Sequence, residues 1–265
     1  MRLAPLLALL VLAASALAPP GVRFARPIAV VGAKESFNWS GYMQGTLEKG
    51  TTFHSISADW IVPEVQQRNA GEAEYSSSWI GIGGGCVDAG CSVSDATLIQ
   101  AGIGHDVDAT GRPDYYAWWE TIPAPSIRTD LVISPGDLVR VSIAEGAVAE
   151  VWTITITDLS TRRAFSITLP YASTYATAEW ILETPIVISD TGGITVGPMP
   201  DVAPVHFDNA RVNGAGAGLV ASEQIALVDF DLSPIAAPSS PDRDADGFND
   251  CAYRTTCPTP KNELR

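Results

Sequence analysis

Two stretches near the middle of the chain alternate between apolar and polar positions: Leu138-Val139-Arg140-Val141-Ser142-Ile143 and Val151-Trp152-Thr153-Ile154-Thr155-Ile156-Thr157. Successive side chains on a strand point to opposite faces, so the pattern predicts two strands, each with one buried and one wetted face. Between them Glu145-Gly146-Ala147 predicts a turn. Asp158-Leu159-Ser160-Thr161 predicts another before Phe165–Leu169, giving a local meander. From Phe37 onward the same grammar recurs, with short β-branched and aromatic segments broken about every 8 to 12 residues by Gly, Pro, Asp or Asn. No sustained helical period runs between Phe37 and Asp231, and no long internal repeat is visible. The expectation is an all-β, antiparallel fold with little helix.

The two ends follow different rules. Met1-Arg2 and the apolar run Leu3–Ala18 read as a secretory signal with small-residue cleavage sites near Ala16 and Ala18. The run is short for a membrane span and Pro19-Pro20 follows it directly; an uncleaved anchor is the alternative. Residues 19–36 then form a leader or short propeptide, 37–233 the β-domain, 234–241 a Pro/Ser/Ala linker, and 242–265 an acidic, Cys-bracketed tail.

The apolar share of 46% and the length of 265 residues allow one large core. A net charge of -14 and no basic cluster exclude a nucleic-acid partner, because phosphate binding needs clustered Lys and Arg. Such a surface sheds charge in acid and suits work there. The cysteines fall in two close pairs, Cys86 with Cys91 and Cys251 with Cys257. In an exported chain they predict two small-loop disulfides, with the other two connectivities open, and neither pair has zinc-site spacing.

Familiar hydrolase signatures are missing: no G-x-S-x-G, no H-E-x-x-H, and only His54, His105 and His206 as histidines. One Asp190-Thr191-Gly192 string occurs, but aspartic-peptidase chemistry needs two such carboxylates, so a turn explains it better.

What remains is a series of motifs: Asn38-Trp39-Ser40-Gly41-Tyr42, Trp60-Ile61-Val62-Pro63, Ser78-Trp79-Ile80-Gly81-Ile82-Gly83-Gly84, Leu98-Ile99-Gln100-Ala101-Gly102, Tyr115-Tyr116-Ala117-Trp118-Trp119-Glu120 and Ala178-Glu179-Trp180-Ile181-Leu182-Glu183. Their order and spacing resemble the glutamic peptidase (eqolisin) family over roughly Phe37 to Val212. The resemblance implies a β-sandwich of two curved sheets, a concanavalin-like or lectin-like jelly roll. It also implies secreted, metal-free acid endopeptidase activity on polypeptides, with Glu183 as general base and acid and Gln100 as oxyanion donor. A carboxylate can deprotonate a water and then protonate the leaving amine, while an amide N–H donates to the developing charge. The resemblance further implies that Trp79 and Trp118 line the cleft and that Glu120 matches a family carboxylate; with Tyr116 these are the candidate substrate-binding residues. Tyr116 stands where the family has an Asp, and Gly83 replaces an Asp in a G-I-D-G turn, so the supporting hydrogen bonds must differ.

Strand parity adds a physical test. Glu179, Ile181 and Glu183 share one face and Ala178, Trp180 and Leu182 the other, which reads as core. Gln100 shares a face with Leu98 and Gly102, and Tyr116, Trp118 and Glu120 share another. Glu183 and Gln100 are then expected on neighbouring strands.

In the tail, Asp242, Asp244, Asp246 and Asp250 flank Gly247 at the spacing of a calcium loop, with Tyr253 where an EF-hand has its last Glu. The bland reading is a solvated acidic tail, and catalysis needs no cofactor. A secreted lectin-like binding module is the rival to the peptidase. The expected protein is a secreted monomer that takes polypeptide substrates and has no stable membrane association.

Overall fold

The computed structural model describes residues 28–32, 34–188 and 194–264. The expected signal segment, the leader up to residue 27 and the turn expected at Asp190-Thr191-Gly192 lie outside the described residues. The chain is an antiparallel β-sandwich, as its alternation predicts. Among the described residues helix is confined to Thr46–Lys49 and a 3₁₀ turn at Ala221–Glu223. No helix is long and apolar enough to cross a membrane.

One sheet runs Arg163–Pro170, Val151–Asp158, Leu138–Glu145, Ser55–Ile61 and Val205–Val212, each antiparallel to the next. Its first three strands form the predicted meander. Along Val151–Asp158 burial alternates residue by residue, and the wetted face carries Thr153 bonded to Thr168 and Thr155 bonded to Ser166 across the strands. The second sheet runs Pro113–Thr121, Leu98–Val107, Ser77–Gly83, Thr177–Glu183 and Trp39–Gly45. Strand Gln224–Val228 pairs with Trp39–Gly45 and with Pro234–Pro238, joining the two sheets along one edge.

The main core lies between the sheets. Ile80, Ile99, Ala101, Ala178, Trp180 and Leu182 from the second sheet meet Ile56, Trp60, Val141, Trp152, Ile154 and Phe207 from the first. Ala178, Trp180 and Leu182 are therefore core, and parity turns Glu179, Ile181 and Glu183 to the other face. That face holds a separate apolar cluster of Trp39, Trp79, Leu98, Trp118, Ile181 and Ile225.

Three boundaries need correction. Residues 234–241 are not a free linker, because Pro234–Pro238 is a strand between Gln224–Val228 and Phe248–Ala252. Proline lacks a ladder donor, but here the two prolines sit at the strand ends and leave the middle to pair. Nor are residues 242–265 a solvated tail: Phe248 and Ala252 are buried in the main core, and Phe248 stacks on Phe207 at 5.0 Å. The N-terminal boundary also moves, since Glu35–Ser36 pairs in parallel with Gln224–Val228 and Val30–Gly32 folds back on it. Cys86–Cys91 and Cys251–Cys257 are disulfides, as the spacing predicted.

Candidate functional site

Every candidate except those of the tail lies on the second sheet, on the face turned away from the main core. Glu183 and Gln100 are not on neighbouring strands, which corrects the expectation. Strand Ser77–Gly83 lies between them, with Glu183 opposite Ser77 and Gln100 opposite Gly81. The intervening position on this face is filled by Trp79. Its indole lies over small residues: a Cβ at Gly102 would meet Trp79 Cβ at 2.4 Å, and one at Gly81 would meet its ring at 2.9 Å. The glycines of these motifs thus make room for a tryptophan, and Trp79 Nε1 donates to Glu183 Oε2 at 2.8 Å. Asn38 Nδ2 reaches the other oxygen at 3.5 Å.

Gln100 is bonded across the next strand pair. Its Nε2 donates to Glu120 Oε2 at 2.6 Å, and register places the two residues directly opposite. Glu120 therefore lies on the same face as Gln100 and is its hydrogen-bond partner. Both other oxygens, Gln100 Oε1 and Glu120 Oε1, are buried without a hydrogen-bond partner.

Burial dominates the electrostatics. Desolvation pushes Glu183 well above the usual carboxylate range, the Glu120 charge adds to this, and the Trp79 and Asn38 donors pull partly back. Burial pushes Glu120 up to about 7, against the Gln100 and Ser126 donors.

Glu179 is a group that sequence reasoning left unassigned. It is fully buried on the same face, in register with Gly81 and hence Gln100, and burial raises it well above the usual range. Its place two and four residues from Ile181 and Glu183 was the available signal.

Trp118 is buried in the face cluster, opposite Gly102. Tyr116 lies further out. Its ring covers Gly104, where a Cβ would sit 2.2 Å away, its hydroxyl donates to Asp106 at 2.9 Å, and the Arg128 guanidinium stacks 3.4 Å above it. Asp106 thus puts a carboxyl beside the Tyr116 hydroxyl, and burial raises it to about 6. Gly83 has a backbone reason to be glycine: φ is +93°, and a Cβ would lie 2.1 Å from the Thr97 carbonyl oxygen.

The four-aspartate reading of the tail also needs correction. Asp250 is on strand Phe248–Ala252, buried, and accepts from Ser40 Oγ at 2.7 Å. Carboxylate oxygens of Asp208, Asp242 and Asp246 lie within 4.8 Å of one another, and those of Asp242, Asp244 and Glu263 form a second such group. The Asp246 N–H donates to Asp242, so the loop also closes on its own backbone.

The sequence profile described as the Peptidase A4 family matches residues 37–233. Among solved structures, scytalido-glutamic peptidase with a transition state analog inhibitor is similar, with a TM-score of 0.61 and 20% identity, covering 81% of this chain and 98% of that one. SCP-B, a member of the eqolisin family in complex with the tripeptide Ala-Ile-His, has a TM-score of 0.56 and 19% identity over 81% of this chain and 98% of its own. Aspergilloglutamic peptidase from Aspergillus niger has a TM-score of 0.52 and 23% identity over 68% of this chain and 99% of its own. No curated protein sequence matches at a significant level.

Proposed function

The chain belongs to the Peptidase A4 family and is a hydrolase of the glutamic peptidase type, and on that premise we propose how it cuts a polypeptide and with which residues. Glu183 accepts a proton from water as the water oxygen attacks the scissile carbonyl carbon. The second N–H of Gln100 Nε2, the one not given to Glu120, donates to the oxygen that takes up the negative charge. The tetrahedral centre then expels the amine as the C–N bond breaks, and Glu183 returns its proton to the leaving nitrogen. Glu183 ends as it began, and no step requires a metal or an acyl-enzyme. Trp79 holds the carboxyl in place, and Trp118 and Tyr116 form apolar walls along the same face.

The observation that carries this reading is the pair of fixed hydrogen bonds, Trp79 to Glu183 at 2.8 Å and Gln100 to Glu120 at 2.6 Å, on one face of one sheet. They hold a carboxyl and an amide in single orientations, as an acid/base and an oxyanion donor require. A lectin-like module would share the sandwich but has no use for the pair. Export to an oxidising compartment is part of the proposal; the apolar N-terminal run and the two disulfides support it.

Digestion of denatured haemoglobin from pH 2 to 8 tests the reading, with pepstatin and EDTA as controls expected to have no effect. Glu183→Gln is expected to lower kcat by roughly 10⁴-fold or to background, and Gln100→Ala by about 10²- to 10³-fold. Full activity in Glu183→Gln would remove the assignment.

A further inference from the structure

The reaction as assigned needs Glu183 ionised when water attacks, which makes the rate rise with pH and then level off. Glu120 adds no upper limit, because a carboxyl keeps an acceptor oxygen for Gln100 in either protonation state. One buried acid on the same face, Glu179, has no part in these steps.

Glu179 stands in a row that crosses the sheet. It is opposite Met43 on one side and Gly81 on the other, and Gly81 is opposite Gln100. It is 0% exposed, and neither carboxyl oxygen has a hydrogen-bond partner. The bend Gly84-Gly85, which leaves strand Ser77–Gly83, closes over it. A Cβ at Gly85 would lie 2.6 Å from Glu179 Oε1 and 2.6 Å from Met43 Sδ, while a Cβ at Gly84 would meet Leu98 at 2.9 Å and Trp39 at 3.2 Å. The bend therefore rests on Glu179 with one glycine and on the apolar cluster of the site with the other. Trp39 in turn packs edge-on against Trp79, with ring centroids 4.9 Å apart, and Trp79 is the donor to Glu183.

A neutral carboxyl suits this enclosure and a charged one does not. The ionisable groups around it are acids: Asp95, from the loop beyond the bend, whose charge raises Glu179 further, Glu183 four residues along the strand, and Glu120 past Gln100 in the row. Met43, Gly81 and Gly85 carry no charge. The Thr177 hydroxyl accepts from the Gly85 N–H at 3.2 Å, and Lys49 of the helix Thr46–Lys49 is paired with Glu223 at 2.6 Å.

We propose that Glu179 is a positioning residue for the peptidase reaction: protonated, it lets the Gly84-Gly85 bend close on Trp39 and Leu98 and so keeps Trp79 and Glu183 in place; ionised, it drives the bend open and ends activity towards neutral pH. The inference rests on the peptidase reading. Ionised Glu183 and protonated Glu179 are then required together, so the pH–rate profile is a bell whose falling limb belongs to Glu179.

The test uses the full chain on denatured haemoglobin from pH 2 to 8, with two variants checked for intact folding by circular dichroism. Glu179→Gln supplies an uncharged side chain of the same shape, and Gly85→Ala adds a Cβ that pushes the bend off Glu179 at any pH. Glu179→Gln is expected to keep kcat at pH 4 within about threefold of the wild type and to turn the bell into a rise and plateau, exceeding the wild type by about tenfold for each pH unit above the falling limb. Gly85→Ala should lower kcat by about 10- to 100-fold across the range and leave the limb set by Glu183 in place. Hydrogen exchange reads the bend directly. The Asp95 amide, which donates to the Gly85 carbonyl at 2.8 Å, should lose protection in the wild type between pH 4 and 8 and keep it in Glu179→Gln. The same bell in Glu179→Gln as in the wild type would overturn the proposal, and so would a loss of kcat by one factor at every pH, the mark of a merely structural side chain. Constant protection of the Asp95 amide in the wild type would overturn the opening of the bend. Protection that changes with pH but no proteolysis by any form would instead remove the peptidase reading, and the positioning role with it.

Discussion

The two ends of a Gln100 amide are chemically opposite, and only the N–H end can stabilise an oxyanion. Glu120 decides the orientation by accepting one N–H at 2.6 Å. Glu120→Gln can still offer a carbonyl oxygen, so it is expected to keep kcat within about threefold, whereas Glu120→Ala frees the amide to flip and should lower kcat by roughly 10- to 100-fold with little change in KM. Steady-state kinetics of the pair checks this; equal loss in both would mean that the carboxyl has another task. Trp79 offers a second test at this scale. Its N–H favours ionised Glu183, so Trp79→Phe, which keeps the ring and removes the donor, should raise the Glu183 pKa further. The acid limb of the pH–rate profile is then expected to move to higher pH; a shift the other way would place the indole against the protonated form. Gly83 completes the scale, because restoring the family's aspartate there is expected to harm the chain. Positive φ and contact with the Thr97 carbonyl predict a loss of about 2 kcal/mol in Gly83→Asp, or roughly 5 °C in Tm.

At the scale of elements, strands Pro234–Pro238 and Phe248–Ala252 do the least expected work. They extend the sandwich beyond the segment that matches the family profile, and bring Phe248 against Phe207 and Tyr42. Phe248→Ala should therefore cost about 3–5 kcal/mol, as for any large aromatic lost from a core, and thermal unfolding would show one transition at lower temperature. If the tail were a separate appendage, the variant would leave the main transition in place. The central element of the site, strand Ser77–Gly83, works by being narrow: Gly81, with Gly102 next door, lets one tryptophan span the space between the Glu183 and Gln100 strands.

For the molecule as a whole, buried carboxyl groups couple the fold to acid. Burial raises Asp106 to about 6, Glu120 to about 7 and Asp250 to about 7, and raises Glu179 and Glu183 as well. A carboxyl whose folded pKa exceeds its unfolded one binds more protons when folded over the interval between them. Stability then falls as pH rises through that interval and is greatest below it. His105, lowered to about 3 by burial, acts in the opposite sense between there and 6.5, but it is outnumbered. Shedding surface charge from -14 towards the pI near 4.5 adds to the acid preference. Tm at pH 4.5 is expected to exceed Tm at pH 7.5 by roughly 5–10 °C, with Asp250→Asn reducing the difference. A Tm that peaks at neutral pH would contradict this.

Strand alternation, turn residues and close cysteine pairs are local properties: they determined the all-β class and the Leu138–Leu169 meander and favoured the two small-loop disulfides, whose connectivity the structure then fixed. Parity likewise determined that Ala178, Trp180 and Leu182 face the core and Glu183 does not, because a strand has only two sides. What lies beside what across a sheet depends on strand order and register, which are long-range. Only the tertiary structure decided that the Trp79 strand separates Glu183 from Gln100, that Glu120 orients the amide, and that Asp106 accepts from the Tyr116 hydroxyl. The same holds for the ends of the chain. Proline-rich and acidic composition reads as linker and tail, and a short leader reads as loose, because their burial depends on surfaces that the rest of the fold supplies: a pairing edge for Pro234–Pro238, a core gap for Phe248, and a tryptophan pocket for Ile28.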